Sequence, residues 1–233
     1  MIMNRILILD NSLNHDVYNP LEHWNPLLLF PSDSFRASAG ELPPSLNAYS
    51  HIIVTGSEAS ILDNCEWMVA EEKLLRIAVT MGKVILGSCF GHQIIARSVF
   101  GPNAVRRMEE PEFGWLEIEV LKNDPLLGQS GQIIHSFVCH FDEVYDLPKD
   151  EATVLARSPR CSIHAFKLRD GSVWGIQPHP EMGIVGGLAF LERIGGSEVP
   201  DRRYFLQTTQ ALPKDSGWIV PLMREFQKTR PGE

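Results

Sequence analysis

Short, unbroken apolar runs recur through the first ninety residues, each ended by a polar residue or a glycine. RILILD (5–10), HIIVTG (51–56) and KVILG (83–87) have this form. It predicts strands buried on both faces, as in a parallel sheet. Between the last two, NCEWMVAEEKLLRIAVTMG (64–82) repeats apolar residues at helical spacing. Trp67, Leu74, Ala78 and Met81 share one face, and Gly82 is a C-cap candidate. A further helix is predicted over 92–100. Residues 11–50, rich in Pro, Ser and Asn, read as loop with one short helix near 20–30.

Beyond residue 114 the period becomes two. WLEIEV (115–120) sets Leu116, Ile118 and Val120 against Glu117 and Glu119. QIIHSFV (132–138), TVLA (153–156), SIHAFKL (162–168) and SVWGIQ (172–177) follow after short turns, and RDGS between the last two is a hairpin signal. These read as antiparallel strands added to the sheet or beside it. Residues 183–215 read as helix then loop, and 217–228 as a closing helix that Pro221 starts or kinks. The expectation is one α/β domain over 1–233, with a mostly parallel central sheet, helices on both faces and additional antiparallel strands. Residues 183–233 form its C-terminal helical extension.

Composition narrows the partners. The 233 residues are 44% hydrophobic and 21% charged, enough for a large core. The net charge of -8, with Lys and Arg nowhere gathered, argues against nucleic acid. No apolar run reaches membrane-spanning length, and the opening MIMNRILILD is too short for a secretory signal. The four cysteines, Cys65, Cys89, Cys139 and Cys161, form no CxxC pair, which fits a reducing cytoplasm.

One junction carries candidate chemistry. In VILGSCFGHQIIARSVFG (84–101) a strand stops, Gly87-Ser88-Cys89-Phe90-Gly91 intervenes, and a helix starts. Gly-x-nucleophile-x-Gly at a strand-to-helix turn is a nucleophile elbow. The helix N-terminus beside Cys89 favours thiolate. Cys65, Cys139 and Cys161 read as inert core thiols. A base is needed nearby, and GIQPHPEM (175–182) offers His179 with Glu181 two residues on, directly after a strand run. Strand ends gather at one edge of a parallel sheet, which places both signals together. His135 and His140 lie five apart, His51 and His164 are isolated, and no HExxH or Cys/His quartet occurs, so no metal is expected. His92 reads as packing or capping the elbow helix.

GSCFGHQ (87–93) followed by HPE (179–181) resembles the class I glutamine amidotransferases of the Cys-His-Glu type, with a flavodoxin-like fold. IIVTGSEASI (52–61) looks like their oxyanion loop. HSFVCHFDEVYDLPKDEATVLARS (135–158) is similar to the amidotransferase domain of GMP synthetase. The resemblance implies Cys89 as nucleophile, His179 as base and acid, and Glu181 as the orienting carboxylate. It implies an oxyanion hole from the backbone of Gly56 and Phe90, and substrate contacts from Gln93, Ser136 and Phe137. Glu58 and Pro178 depart from the family pattern, which has proline and an aromatic residue there. No cofactor is implied. The expected substrate is glutamine or another γ-glutamyl compound. The chain ends at Glu233 without a synthetase domain, so an ammonia acceptor is expected on a separate synthetase chain. A γ-glutamyl hydrolase and a catalytically idle ligand- or partner-binding domain remain as alternatives.

Overall fold

A computed structural model describes residues 4–169, 171–195 and 213–232. The apolar runs become β1 (Ile6–Asp10), β3 (His51–Val54) and β4 (Val84–Ser88), each with every residue buried. An edge strand the pattern did not predict, β2 (Ser32–Arg36), pairs in parallel with β1. Its sequence, SDSFR, has no apolar run because its residues are half-buried or exposed at the sheet margin. The remaining strands are β5 (Val105–Val120), β6 (Ile133–Val144), β7 (Ala152–Arg157), β8 (Ala165–Leu168) and β9 (Val173–Ile176). All nine join one sheet in the order β2-β1-β3-β4-β9-β8-β7-β5-β6.

The sheet changes character at β9. From β2 to β9 every pairing is parallel, and from β9 to β6 every pairing is antiparallel. The sequence pattern grouped 172–177 with the added antiparallel strands; the structure makes it the fifth parallel strand as well as the partner of β8. Gly87 pairs with Gly175 and Ser88 with Ile176, so the chain leaving β9 starts beside the end of β4.

Alternation along the buried strands feeds two cores. Leu7, Leu9, Ile52, Val54 and Ile85 pack with residues of α2 (Glu66–Thr80) and α3 (Phe90–Phe100). Ile6, Ile8, Ile53, Val84 and Leu86 pack with Trp24 of α1 (Pro20–Trp24) and with Leu222, Met223 and Phe226 of the closing helix. Helices therefore cover both faces, which is why these strands carry no polar side. The buried stripe of α2 is Met68, Glu71, Leu75 and Ala78, one step round from the predicted face; Trp67 and Leu74 are half-buried and Met81 is exposed. Gly82 does end the helix, at φ +66°.

Near the C-terminus lie α4 (Gly183–Gly195) and α5 (Ile219–Lys228). Pro221 falls in the first turn of α5, where its missing N–H is harmless, so it starts the helix without kinking it. The loop expected after α4 lies largely outside the described residues, over 196–212. Among the described residues no helix is long and apolar enough to cross a membrane.

Candidate active site

β4 ends at Ser88 and α3 starts at Phe90, so Cys89 alone carries the change of direction. Its φ is +52°, a left-handed conformation that costs a non-glycine residue about 1–3 kcal/mol. The flanking glycines permit the turn. A Cβ on Gly87 would sit 2.4 Å from the Gly91 carbonyl oxygen, and one on Gly91 only 2.0 Å from that of Val54. Both obstacles are backbone, so no side chain fits. The Cys89 N–H donates to the Ile176 carbonyl at 2.9 Å, tying the elbow to the end of β9.

β9 then delivers the HPE segment. His179 is buried, and its Nδ1 lies 2.8 Å from Glu181 Oε1. The ring also makes a hydrogen-bonding contact with Cys89. Its backbone N–H donates to the Phe137 carbonyl at 2.8 Å. A Cβ on Gly56 would fall 2.5 Å from His179 Cε1, so the ring needs a glycine at that place in the loop after β3. The chain thus brings Cys89, His179, Glu181, Gly56 and Phe90 together at the carboxyl ends of β3, β4 and β9.

Burial alone would lower the His179 imidazole. The Cys89 charge and the Glu181 carboxylate outweigh it and push the group up to about 10. Burial alone would raise Glu181, yet the His179 charge and hydrogen bond hold it below the usual carboxylate range. An imidazolium held by a carboxylate and facing a sulfur is the arrangement an acyl-transfer cysteine needs.

Cys89 opens onto a cavity of about 410 Å³. Residues 57–60 form one wall, 139–142 a second, and Phe113, Phe190 and Ile194 an apolar third. Gln93 lines the cavity, but its Nε2 donates to the Asp142 carbonyl at 2.7 Å and to Gln177 Oε1 at 3.2 Å, so it braces the β6 wall. Ser136 and Phe137 are buried and do not line the cavity, whose β6 wall starts at Cys139. Phe137 packs on Trp115 at 5.1 Å and holds His179 through its carbonyl. Glu58 accepts from the backbone N–H of Leu13 at 2.8 Å and of Asn14 at 3.3 Å, fixing the loop after β1 to the cavity rim.

Three expectations need correction. Cys65 is exposed, and Cys139 lines the cavity with its carbonyl oxygen 3.7 Å from Cys89 Sγ; of the three thiols read as core, only Cys161 is sealed. His164 is not isolated. Its Nε2 lies 2.8 Å from Glu112 Oε2, which His140 Nε2 also meets at 2.9 Å, while Ser158 donates to Glu112 Oε1 at 2.5 Å. Glu112, Cys161 and His164 bring ligand-type atoms within 4.8 Å of one another, but the Glu112 oxygens are already taken by these donors. His92, as expected, packs: its ring lies tilted at 42° against Phe166, centroids 5.0 Å apart, beside Gly175. One residue gave no signal in the sequence. The Tyr18 hydroxyl donates to Glu181 Oε1 at 2.9 Å from 163 positions away.

A family model for glutamine amidotransferase class-I matches residues 9–185. γ-Glutamyl peptidase 3 of Arabidopsis thaliana is 34% identical over 157 residues, covering 64% of this chain and 62% of that protein. One subunit of the glutamine-hydrolysing GMP synthase of Methanothermobacter thermautotrophicus is 32% identical over 182 residues, 77% of this chain and 90% of that one. The structure of a glutamine amidotransferase from Thermotoga maritima superposes with a TM-score of 0.77 at 21% identity, over 97% of this chain and 99% of its own.

Proposed function

The chain belongs to the class-I glutamine amidotransferase family, and from that premise we propose that it hydrolyses the side-chain amide of glutamine through a thioester on Cys89. The observation that carries the reading is the strained Cys89, which lines a cavity and contacts a Glu181-held His179. The Cys89 thiolate attacks the amide carbon. The backbone N–H groups of Phe90, unpaired at the start of α3, and Gly56 receive the developing oxyanion. Losing one such donor typically costs about 10²–10³ in rate. His179 gives its proton to the leaving nitrogen, and ammonia departs. It then takes a proton from water, which attacks the thioester and releases glutamate, restoring the ion pair. Glu181 keeps Nδ1 protonated and the ring aligned. Gln93 supports the pocket by fixing the Asp142 carbonyl beside it.

The ammonia acceptor is a separate synthetase chain; the similarity to the GMP synthase subunit supports this. A thiol nucleophile and four free cysteines fit a reducing compartment such as the cytoplasm. A second reading, cleavage of a larger γ-glutamyl amide, is favoured by the apolar wall of Phe113, Phe190 and Ile194, which ammonia as leaving group does not need. Comparing kcat/KM for glutamine with that for γ-glutamyl dipeptides separates the two.

The test of the shared chemistry is mass spectrometry after treatment with a diazo-ketone analogue of glutamine. One adduct on Cys89 is expected, and Cys89→Ser should lose glutaminase activity roughly 10⁴-fold or more. An adduct elsewhere, or a Cys89→Ser variant at the wild-type rate, rejects the assignment.

A further inference from the structure

We propose that Tyr18 is a positioning residue of this site, its hydroxyl fixing the Glu181 carboxylate that in turn orients His179; the proposal rests on the Cys89–His179–Glu181 reading. Glu181 Oε1 receives two hydrogen bonds, from Tyr18 at 2.9 Å and from His179 Nδ1 at 2.8 Å. Its other oxygen lies 3.4 Å from Ser88 Oγ, and the residue's own backbone N–H also donates to the carboxylate. Oε1 carries the two short side-chain bonds, and Tyr18, sharing that oxygen with His179, helps set how the carboxylate faces the imidazole. The Tyr18 ring also stands edge-on to His179, with centroids 5.6 Å apart and planes at 79°. One side chain thus touches both members of the ion pair.

Tyr18 is built in. It is 3% exposed, stacked on His23 at 6.0 Å and edge-on to Phe190 of α4 at 6.2 Å. Its backbone N–H donates to the Asn14 carbonyl at 3.0 Å, and Arg193 of α4 donates to the Val17 carbonyl at 3.2 Å. The loop after β1 and helix α4 together press the hydroxyl onto Glu181. Burial first, and then the Glu181 charge, push the phenol well above its ordinary value, so it stays a donor across the working range.

The titratable groups around Glu181 are His179, Tyr18, Cys89 and His23, with Arg193 beyond His23. The hydroxyl favours the charged carboxylate. Without it Glu181 protonates at a higher pH, and the acid limb of the kcat profile moves up.

Tyr18→Phe keeps the ring contacts and removes one oxygen. Expected is a roughly 10-fold loss of kcat, the weight of one hydrogen bond to a charged group. KM should hold within about twofold, and the acid limb should move upward. A kcat and pH profile equal to wild type would overturn the proposal, as would a raised KM with kcat unchanged. A second measurement guards against a general loss of folding. In a Glu181→Gln background Tyr18→Phe should add little, because its target is gone; a full additive loss there places Tyr18 outside the Glu181 contact and overturns the proposal. Failure of the underlying reading looks different, since the diazo-ketone would then leave Cys89 unlabelled in the wild-type protein.

Discussion

Among the described residues, two buried histidine–carboxylate groupings share nearly the same contact distance. His179 meets Glu181 at 2.8 Å, and His164 meets Glu112 at 2.8 Å with His140 alongside at 2.9 Å. In the first, the Cys89 sulfur and the Glu181 carboxylate together outweigh burial and push His179 up to about 10. In the second, burial wins and His164 falls below its ordinary value, while Glu112 is held far down by its two histidines. The Cys161 thiol beside them is pushed up by burial and by the Glu112 and Glu143 charges, so it adds no anion. A histidine–carboxylate contact is thus a general building part. It becomes chemistry where a third group, the Cys89 sulfur that lines a cavity, joins it; without one, it is a brace between β5, β6 and the turn before β8.

The contrast breaks most visibly at the elbow. Gly91→Ala would set a Cβ 2.0 Å from the Val54 carbonyl oxygen, an atom locked in the parallel sheet. Either α3 shifts and Cys89 leaves His179, or β3 is displaced. We expect at least a 10²-fold fall in glutaminase rate, in keeping with misplacement of a reacting group by about 1 Å, together with a lower melting temperature. Near wild-type activity would mean the strain at Cys89 is not what holds the sulfur in place.

The Glu112 grouping responds in stability. Glu112→Ala leaves the His140 and His164 Nε2 atoms without their acceptor, at 3% and 0% exposure. Removing one partner of such a network costs about 3–5 kcal/mol, readable in urea unfolding. Glu112→Gln retains an acceptor oxygen and should cost less. Glu112 sits below its unfolded value, so its contribution is present above the ordinary carboxylate range and is lost as the pH falls toward its folded value. An unchanged unfolding midpoint in Glu112→Ala would show that the grouping braces nothing.

What the sequence made legible follows the same division. The elbow could be read because its glycines lie within one five-residue stretch and each is needed by a backbone approach. His179 and Glu181 could be read because they follow the apolar run that became β9. Glu112 meets His140 through antiparallel register and His164 from the turn before β8, 28 and 52 residues away, and no local pattern marks them. Tyr18 reaches Glu181 from a loop whose composition says only that it is loop. The α2 face was misplaced because its buried stripe includes Glu71, which burial raises to about 8 and which accepts from Asn11 Nδ2 at 3.1 Å. A carboxylate in a core stripe does not look apolar in the sequence. β2 escaped because an edge strand need not be hydrophobic.

The smallest effect is spectroscopic, and it isolates the third group. Cys89→Ala removes the charge that does most to raise His179 and leaves the Glu181 contact in place. Burial, opposed now by Glu181 alone, should draw the imidazole down from about 10 toward the ordinary value near 6.5. Ring proton shifts followed by NMR across pH would show it. His164, held low by burial and by its own neighbours, should not move. The sign carries into stability as well. A histidine raised in the fold stabilises fully below its unfolded value, and that stability is lost as pH rises through the folded one. In the wild-type protein this window runs from about 6.5 to about 10; in Cys89→Ala it should narrow from the alkaline side. If His179 stayed near 10 in the variant, the carboxylate alone would suffice to charge it. His179–Glu181 and His164–Glu112 would then differ by solvent access and not by the sulfur.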